Sequence, residues 1–155
     1  MQPIARVWYS DLRRQPEPID VPLEFFRSTA AHERNTRTLI RLVRADGKHI
    51  VIGTQASLFR PDLRPEEVKV FWFGRKLCLQ DNKYPNHTSF TGAMKKVNDT
   101  IRRIAKEEGV LLADIDVAVP KTLEYFSDDV HSTPKGARVV AETIADVIIR
   151  AAYLK

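Results

Sequence analysis

The feature that most limits how this chain can fold is a succession of helix-period stretches, glycine turns and short apolar runs. From about Ala30 to Ala45 the residues Thr36, Leu39, Ile40 and Val43 follow the i, i+3, i+4, i+7 spacing of an amphipathic helix, and Asp46-Gly47 ends it. HIVIGTQ, from His49 to Gln55, follows at once, and a continuous apolar run of that length suits a strand covered on both faces. A longer helix is expected from about Phe90 to Glu108, with Met94, Val97, Ile101 and Ile104 on one stripe and Gly109 closing it; VLLADIDVAVP then reads as another buried strand. The last helix is expected from Pro134 to about Tyr153, with Ala137, Val140, Ala141, Ile144, Val147 and Ile148 on one face. Thr133 is its natural N-cap and Pro134 its first helical residue.

The remaining segments fill in the order. IARVWY, Ile4 to Tyr9, is β-branched and aromatic and reads as a first strand, whereas the proline-rich QPEPIDVP reads as an extended loop. Pro65-Glu66-Glu67 opens a short helix through Phe73, and Gly74 to Phe90 is expected to be a long loop. Strands alternating with helices in this way predict an α/β fold, a parallel sheet with helices on its faces joined by right-handed crossovers. Functional groups in such a sheet collect in loops at the carboxyl ends of strands, here starting at Ser10, at Gln55 and just after Val119. No repeat or linker divides the 155 residues, so one domain is expected.

Composition narrows the chemistry. Apolar residues make up 43% and charged residues 29%, the balance of a folded globular chain. The single cysteine, Cys78, excludes an internal disulfide, offers no zinc site and reads as a small buried apolar residue. A net charge of +5 invites a nucleic-acid reading, but the basic residues are interleaved with acids and no RNA-binding aromatic motif accompanies them, so solvated helix faces are expected instead. There is no long uncharged apolar run and no leader-like start, so neither a membrane span nor a targeting signal is expected, and the default compartment is cytoplasmic.

Chemistry concentrates in FSDDVHSTPKG, Phe126 to Gly136, between the last strand and the last helix. A histidine acts as general base toward a serine when one ring nitrogen faces the nucleophile and the other donates to a carboxylate; Asp128, three residues before His131, can supply that carboxylate within one turn. The plainer alternative is that Asp, Ser and Thr here serve as turn and cap residues beside a solvated histidine. Ser57, shortly after HIVIGT, is a weak candidate nucleophile because no strained nucleophile turn surrounds it. His49 and His87 read as structural or solvated, and no His/Asp spacing suggests a metal or other cofactor. Trp8, Phe71, Trp72 and Phe73 are either core aromatics or the lining of an apolar acyl or sugar pocket.

FSDDVHSTPKGARVVAETIADVI resembles the last conserved block of the SGNH/GDSL hydrolases, in which an Asp-x-x-His pair precedes a polar link, a glycine and the closing helix. NTRTLIRLVRADGKHIVIGTQ is similar to that family's helix and strand after its third block, and MKKVNDTIRRIAKEEGVLLADID to its penultimate helix and strand, so the likeness runs from about Asn35 to Ile149. The resemblance implies a three-layer sandwich with a parallel, flavodoxin-like sheet and a Ser-His-Asp ester hydrolase without cofactor. In it Asp128 orients His131, and His131 is the general base. Asp129 falls on a variable position and is expected to be an exposed loop acid, while Gly136 is expected to let the last helix approach the sheet.

The family's other blocks have no counterpart here. Its nucleophile sits in a Gly-Asp-Ser-like turn after the first strand, and its oxyanion donors include a second-block glycine and a third-block asparagine. Ser10, in Tyr9-Ser10-Asp11-Leu12, follows a strand but lacks the preceding Gly-Asp, and neither Asn35 nor Asn98 matches the asparagine. The expectation is a single incomplete domain whose N-terminal strands are missing. Either it is the C-terminal part of a longer hydrolase, with an exposed sheet edge that the missing N-terminal part or self-association would cover, or it is a reduced, non-catalytic binding or assembly module whose edge is expected to be polar. Completed, it would take a small-molecule ester.

Overall fold

The computed structural model describes residues 17–72 and 83–151. The expected strand IARVWY, together with Trp8, Ser10, Phe73 and Cys78, lies outside them. The elements are β1 (Glu17–Ile19), a 3-10 turn (Leu23–Phe25), α1 (Ser28–Ala45), β2 (Val51–Gly53), α2 (Pro65–Lys69), β3 (Lys83–Pro85), α3 (His87–Glu108), β4 (Leu111–Ala113), α4 (Ile115–Ala118) and α5 (Pro134–Arg150). The fold is mixed α/β with short parallel sheets: β1 pairs with β3, and β2 pairs with β4 in the register Val51–Leu111, Ile52–Leu112, Gly53–Ala113.

The β2–β4 pair carries the site. α1 and α3 pack on each other and enclose Ile40, Ile101 and Ile104 with Ile50, Ile52, Val110 and Leu112, while α5 also packs against both strands. Full burial of an aliphatic side chain such as Ile104 is worth about 2 kcal/mol, which makes this cluster the anchor of the helices on the sheet. A second core gathers Leu58, Phe59, Phe71, Phe90, Val119 and Phe126, and seats the loops that follow the two strands. Its aromatic rings interlock, Phe59 stacking on Phe90 and meeting Phe71 edge-on, both at 5.1 Å.

Several expectations change. VLLADIDVAVP is a strand only as far as Ala113, because Asp114 turns aside: its carboxylate takes the Thr54 hydroxyl at 2.8 Å and the Arg102 guanidinium at 2.8 and 2.9 Å. The Asp116 main-chain N–H then donates to the same Thr54 hydroxyl at 2.9 Å, and α4 begins. The loop at this strand's carboxyl end therefore starts at Asp114 rather than after Val119. Val51, Ile52, Leu111 and Leu112 are half-buried instead of covered on both faces. On α1, Ile40 faces the core but Leu39 and Leu42 are exposed. On α5 the covered stripe is Val139, Val140, Thr143, Ile144, Val147 and Ile148, and Ala137 and Ala141 face solvent.

The proline-rich segment read as a loop contributes β1, and the expected loop before Phe90 contains β3 and the start of α3. Asn86 caps α3 by accepting the Ser89 N–H at 2.9 Å, so His87 is a helix residue, with its ring 6.5 Å from Phe71. α2 ends at Lys69, short of Phe73. Within it Glu67 is fully buried, held by the Arg64 guanidinium and main-chain N–H and by Arg60. The Arg64 side chain, aided by the other two contacts and opposed by burial, lowers its carboxyl to about 2.

Candidate functional site

The segment from Tyr125 to Gly136 is a closed turn. Phe126 is buried in the aromatic core and bridges Ser132, the Ser127 N–H donates to the His131 carbonyl at 2.9 Å, and the Thr133 N–H donates to the Tyr125 carbonyl at 3.0 Å. Thr133 caps α5 by accepting the Gly136 N–H at 3.2 Å, and its own hydroxyl donates to the Glu124 carbonyl at 2.7 Å. Gly136 is required for a different neighbour than the sheet: a Cβ there would lie 2.1 Å from the Tyr125 carbonyl oxygen, so the close approach is to the turn itself.

Within this frame Asp128 Oδ1 accepts the main-chain N–H groups of Val130 at 2.9 Å and His131 at 2.8 Å, the geometry of an Asx turn. Its Oδ2 meets His131 Nδ1 at 2.8 Å. Burial pushes the Asp128 carboxyl up, but the His131 and Val130 N–H groups and the His131 ring outweigh it, and the net displacement is below the usual carboxylate range. An ionised carboxylate only accepts, so the proton of that contact sits on Nδ1, and in the neutral ring the lone pair is then on Nε2. That is the tautomer a general base needs. The His131 side chain is 60% exposed, open to a reacting group.

Asp129 overturns its expected role. It is wholly buried rather than an exposed loop acid, because Oδ1 accepts the Trp72 main-chain N–H at 3.0 Å and its carbonyl accepts the Leu58 N–H at 2.9 Å. Trp72 itself lies against His131, ring centroids 5.3 Å apart and tilted by 64°. Its indole is partly exposed while Phe71 is buried, so Phe71 is a core aromatic and Trp72 is not. Trp72 and Asp129 are the residues of this site that sequence reasoning did not place beside His131.

Ser57 is near the turn but not part of the pair. Leu58 next to it bonds Asp129, yet the Ser57 side chain is fully buried and its hydroxyl has no hydrogen-bond partner, His131 included. A nucleophile needs both a base and a path to substrate, and this hydroxyl has neither. The Ser57 carbonyl accepts Lys121 Nζ at 3.1 Å, and Lys121 reaches Asp116 at 2.6 Å, so the serine's main chain braces the two strand-end loops. Asn98 is likewise structural: its buried amide accepts the Gln55 N–H at 2.8 Å and donates to the Gln55 carbonyl at 2.9 Å. Asn35 is exposed on α1.

Among the described residues there is no cluster of three or more metal-ligating side chains, and no helix long and apolar enough to cross a membrane. Comparison of the chain with protein-family models, with curated proteins and with solved structures gives no match.

Proposed function

We propose that the chain carries the Asp/His half of a serine ester hydrolase of the SGNH/GDSL type, in a three-layer α/β sandwich, with the nucleophile and oxyanion donors supplied from outside these 155 residues. The observation that carries this reading is the 2.8 Å contact between His131 Nδ1 and an Asp128 carboxylate that two main-chain N–H groups hold in place. Helices α3 and α5 pack on the β2–β4 pair and α1 packs on α3, with its Ile40 in the cluster that holds Ile52 and Leu112, which supports the layered arrangement. The half-open faces of Val51, Ile52, Leu111 and Leu112 support further chain covering them.

In this reading the serine hydroxyl proton passes to His131 Nε2 as Oγ bonds the ester carbonyl carbon. His131 then returns the proton to the departing alcohol as the C–O bond breaks, and water repeats the sequence to release the acid. Asp128 stabilises the imidazolium formed between the two transfers. The exposed pair Leu39 and Leu42 favours a second reading, a non-catalytic binding or assembly module that keeps the fold.

The test is incubation of the chain with a p-nitrophenyl short-acyl ester and a fluorophosphonate probe. Neither turnover nor labelling is expected. Labelling of Ser10 or Ser57 that His131→Ala abolishes would show that the chain owns its nucleophile and contradict the proposal.

A further inference from the structure

Asp128 and Asp129 are consecutive, and the turn sends their carboxylates to different tasks. Asp128 reaches His131 Nδ1 from a side chain that is 20% exposed; Asp129, with no exposure, takes the main-chain N–H of Trp72, whose indole meets the imidazole edge-on. We propose that Asp129 and Trp72 are positioning residues for His131: the buried acid fixes the Trp72 backbone, and the indole restricts an imidazole that Asp128 holds through one nitrogen. The proposal rests on the reading of His131 as a general base.

The physical need is clear. An imidazole bonded through Nδ1 alone can leave its carboxylate for water by rotating about its side-chain torsions, and a mostly exposed histidine has solvent ready to take either nitrogen. A second contact on the ring favours one rotamer. Edge-on aromatic contacts bias such an equilibrium by about fivefold. The indole can do this only if its own backbone is fixed. Two hydrogen bonds tie the three segments together: Trp72 N–H to Asp129 Oδ1 and Leu58 N–H to the Asp129 carbonyl. A base that must meet a serine with its lone pair aligned gains rate from such preorganisation.

The test reads the His131 ring nitrogens by long-range proton–nitrogen NMR correlation at mildly alkaline pH, which reports the nitrogen that carries the proton. Wild type and Asp129→Asn, whose amide oxygen still accepts the Trp72 N–H, are expected to show the Nδ1–H tautomer. Trp72→Ala and Asp129→Ala are expected to shift the tautomer ratio about fivefold toward Nε2–H. Trp72→Ala removes a partly exposed side chain and keeps the test available if Asp129→Ala does not fold. A ratio unchanged in Trp72→Ala, or moved as far by Asp129→Asn as by Asp129→Ala, would overturn the proposal. The readout needs no nucleophile, so it stands or falls separately from ester hydrolysis.

Discussion

Asp128 accepts three hydrogen bonds on two oxygens, two from the backbone of its own turn and one from the imidazole it orients. Its carboxyl lies below the ordinary range in the folded chain, so its contribution to stability is present above the unfolded carboxyl value and disappears as pH falls through the folded one. Asp128→Asn should therefore destabilise by on the order of 1 kcal/mol near neutrality, and the gap should begin to narrow as pH falls below about 4. Thermal melts of both forms across pH check this. Ser57 should behave in the opposite sense, because a buried hydroxyl without a partner carries its full desolvation cost. Ser57→Ala is expected to stabilise by about 1 kcal/mol in a denaturant titration and to leave the Asp128–His131 pair intact. The Asp128–His131 pairing was legible because three residues in a turn suffice to make it. The burial of Asp129 was not, since it depends on a Trp72 N–H 57 positions away in the chain.

At the scale of elements, the long periodic helices were legible to within a few residues, and so was the Thr133 cap of α5. Their rotations were less so: Leu39 and Ala137 satisfy the apolar spacing but face solvent, while neighbouring Ile40 packs with the sheet residues Ile52 and Leu112 and Val140 packs against the aromatic core. The strands were overextended in the reading because apolar runs do not reveal side-chain capture. Asp114 leaves β4 for Arg102 and Thr54, and the Arg102 guanidinium holds its carboxyl below the usual range. The start of α5 has a sharper requirement. Gly136→Ala would place a methyl against the Tyr125 carbonyl oxygen, so it should cost about 1–3 kcal/mol and displace the turn that holds the pair. Denaturant unfolding together with the amide shifts of Ser127 to Thr133 measures both effects.

For the whole molecule, the site is a loop seated on an aromatic core and aligned by helices on a short parallel pair. β2 and β4 have only each other as strand neighbours among the described residues, and their side chains are half-covered. Those features and the sealed Ser57 are compatible with the proposed Asp/His half of a hydrolase. The most direct measurement is fluorophosphonate labelling of the product translated with the in-frame residues upstream of Met1, mapped to the modified serine. A label is expected on an upstream serine in a Gly-Asp-Ser-like turn, lost in His131→Ala and slowed by about 10⁴-fold in Asp128→Asn. An in-frame stop directly upstream, or labelling indifferent to His131→Ala, would contradict the proposal.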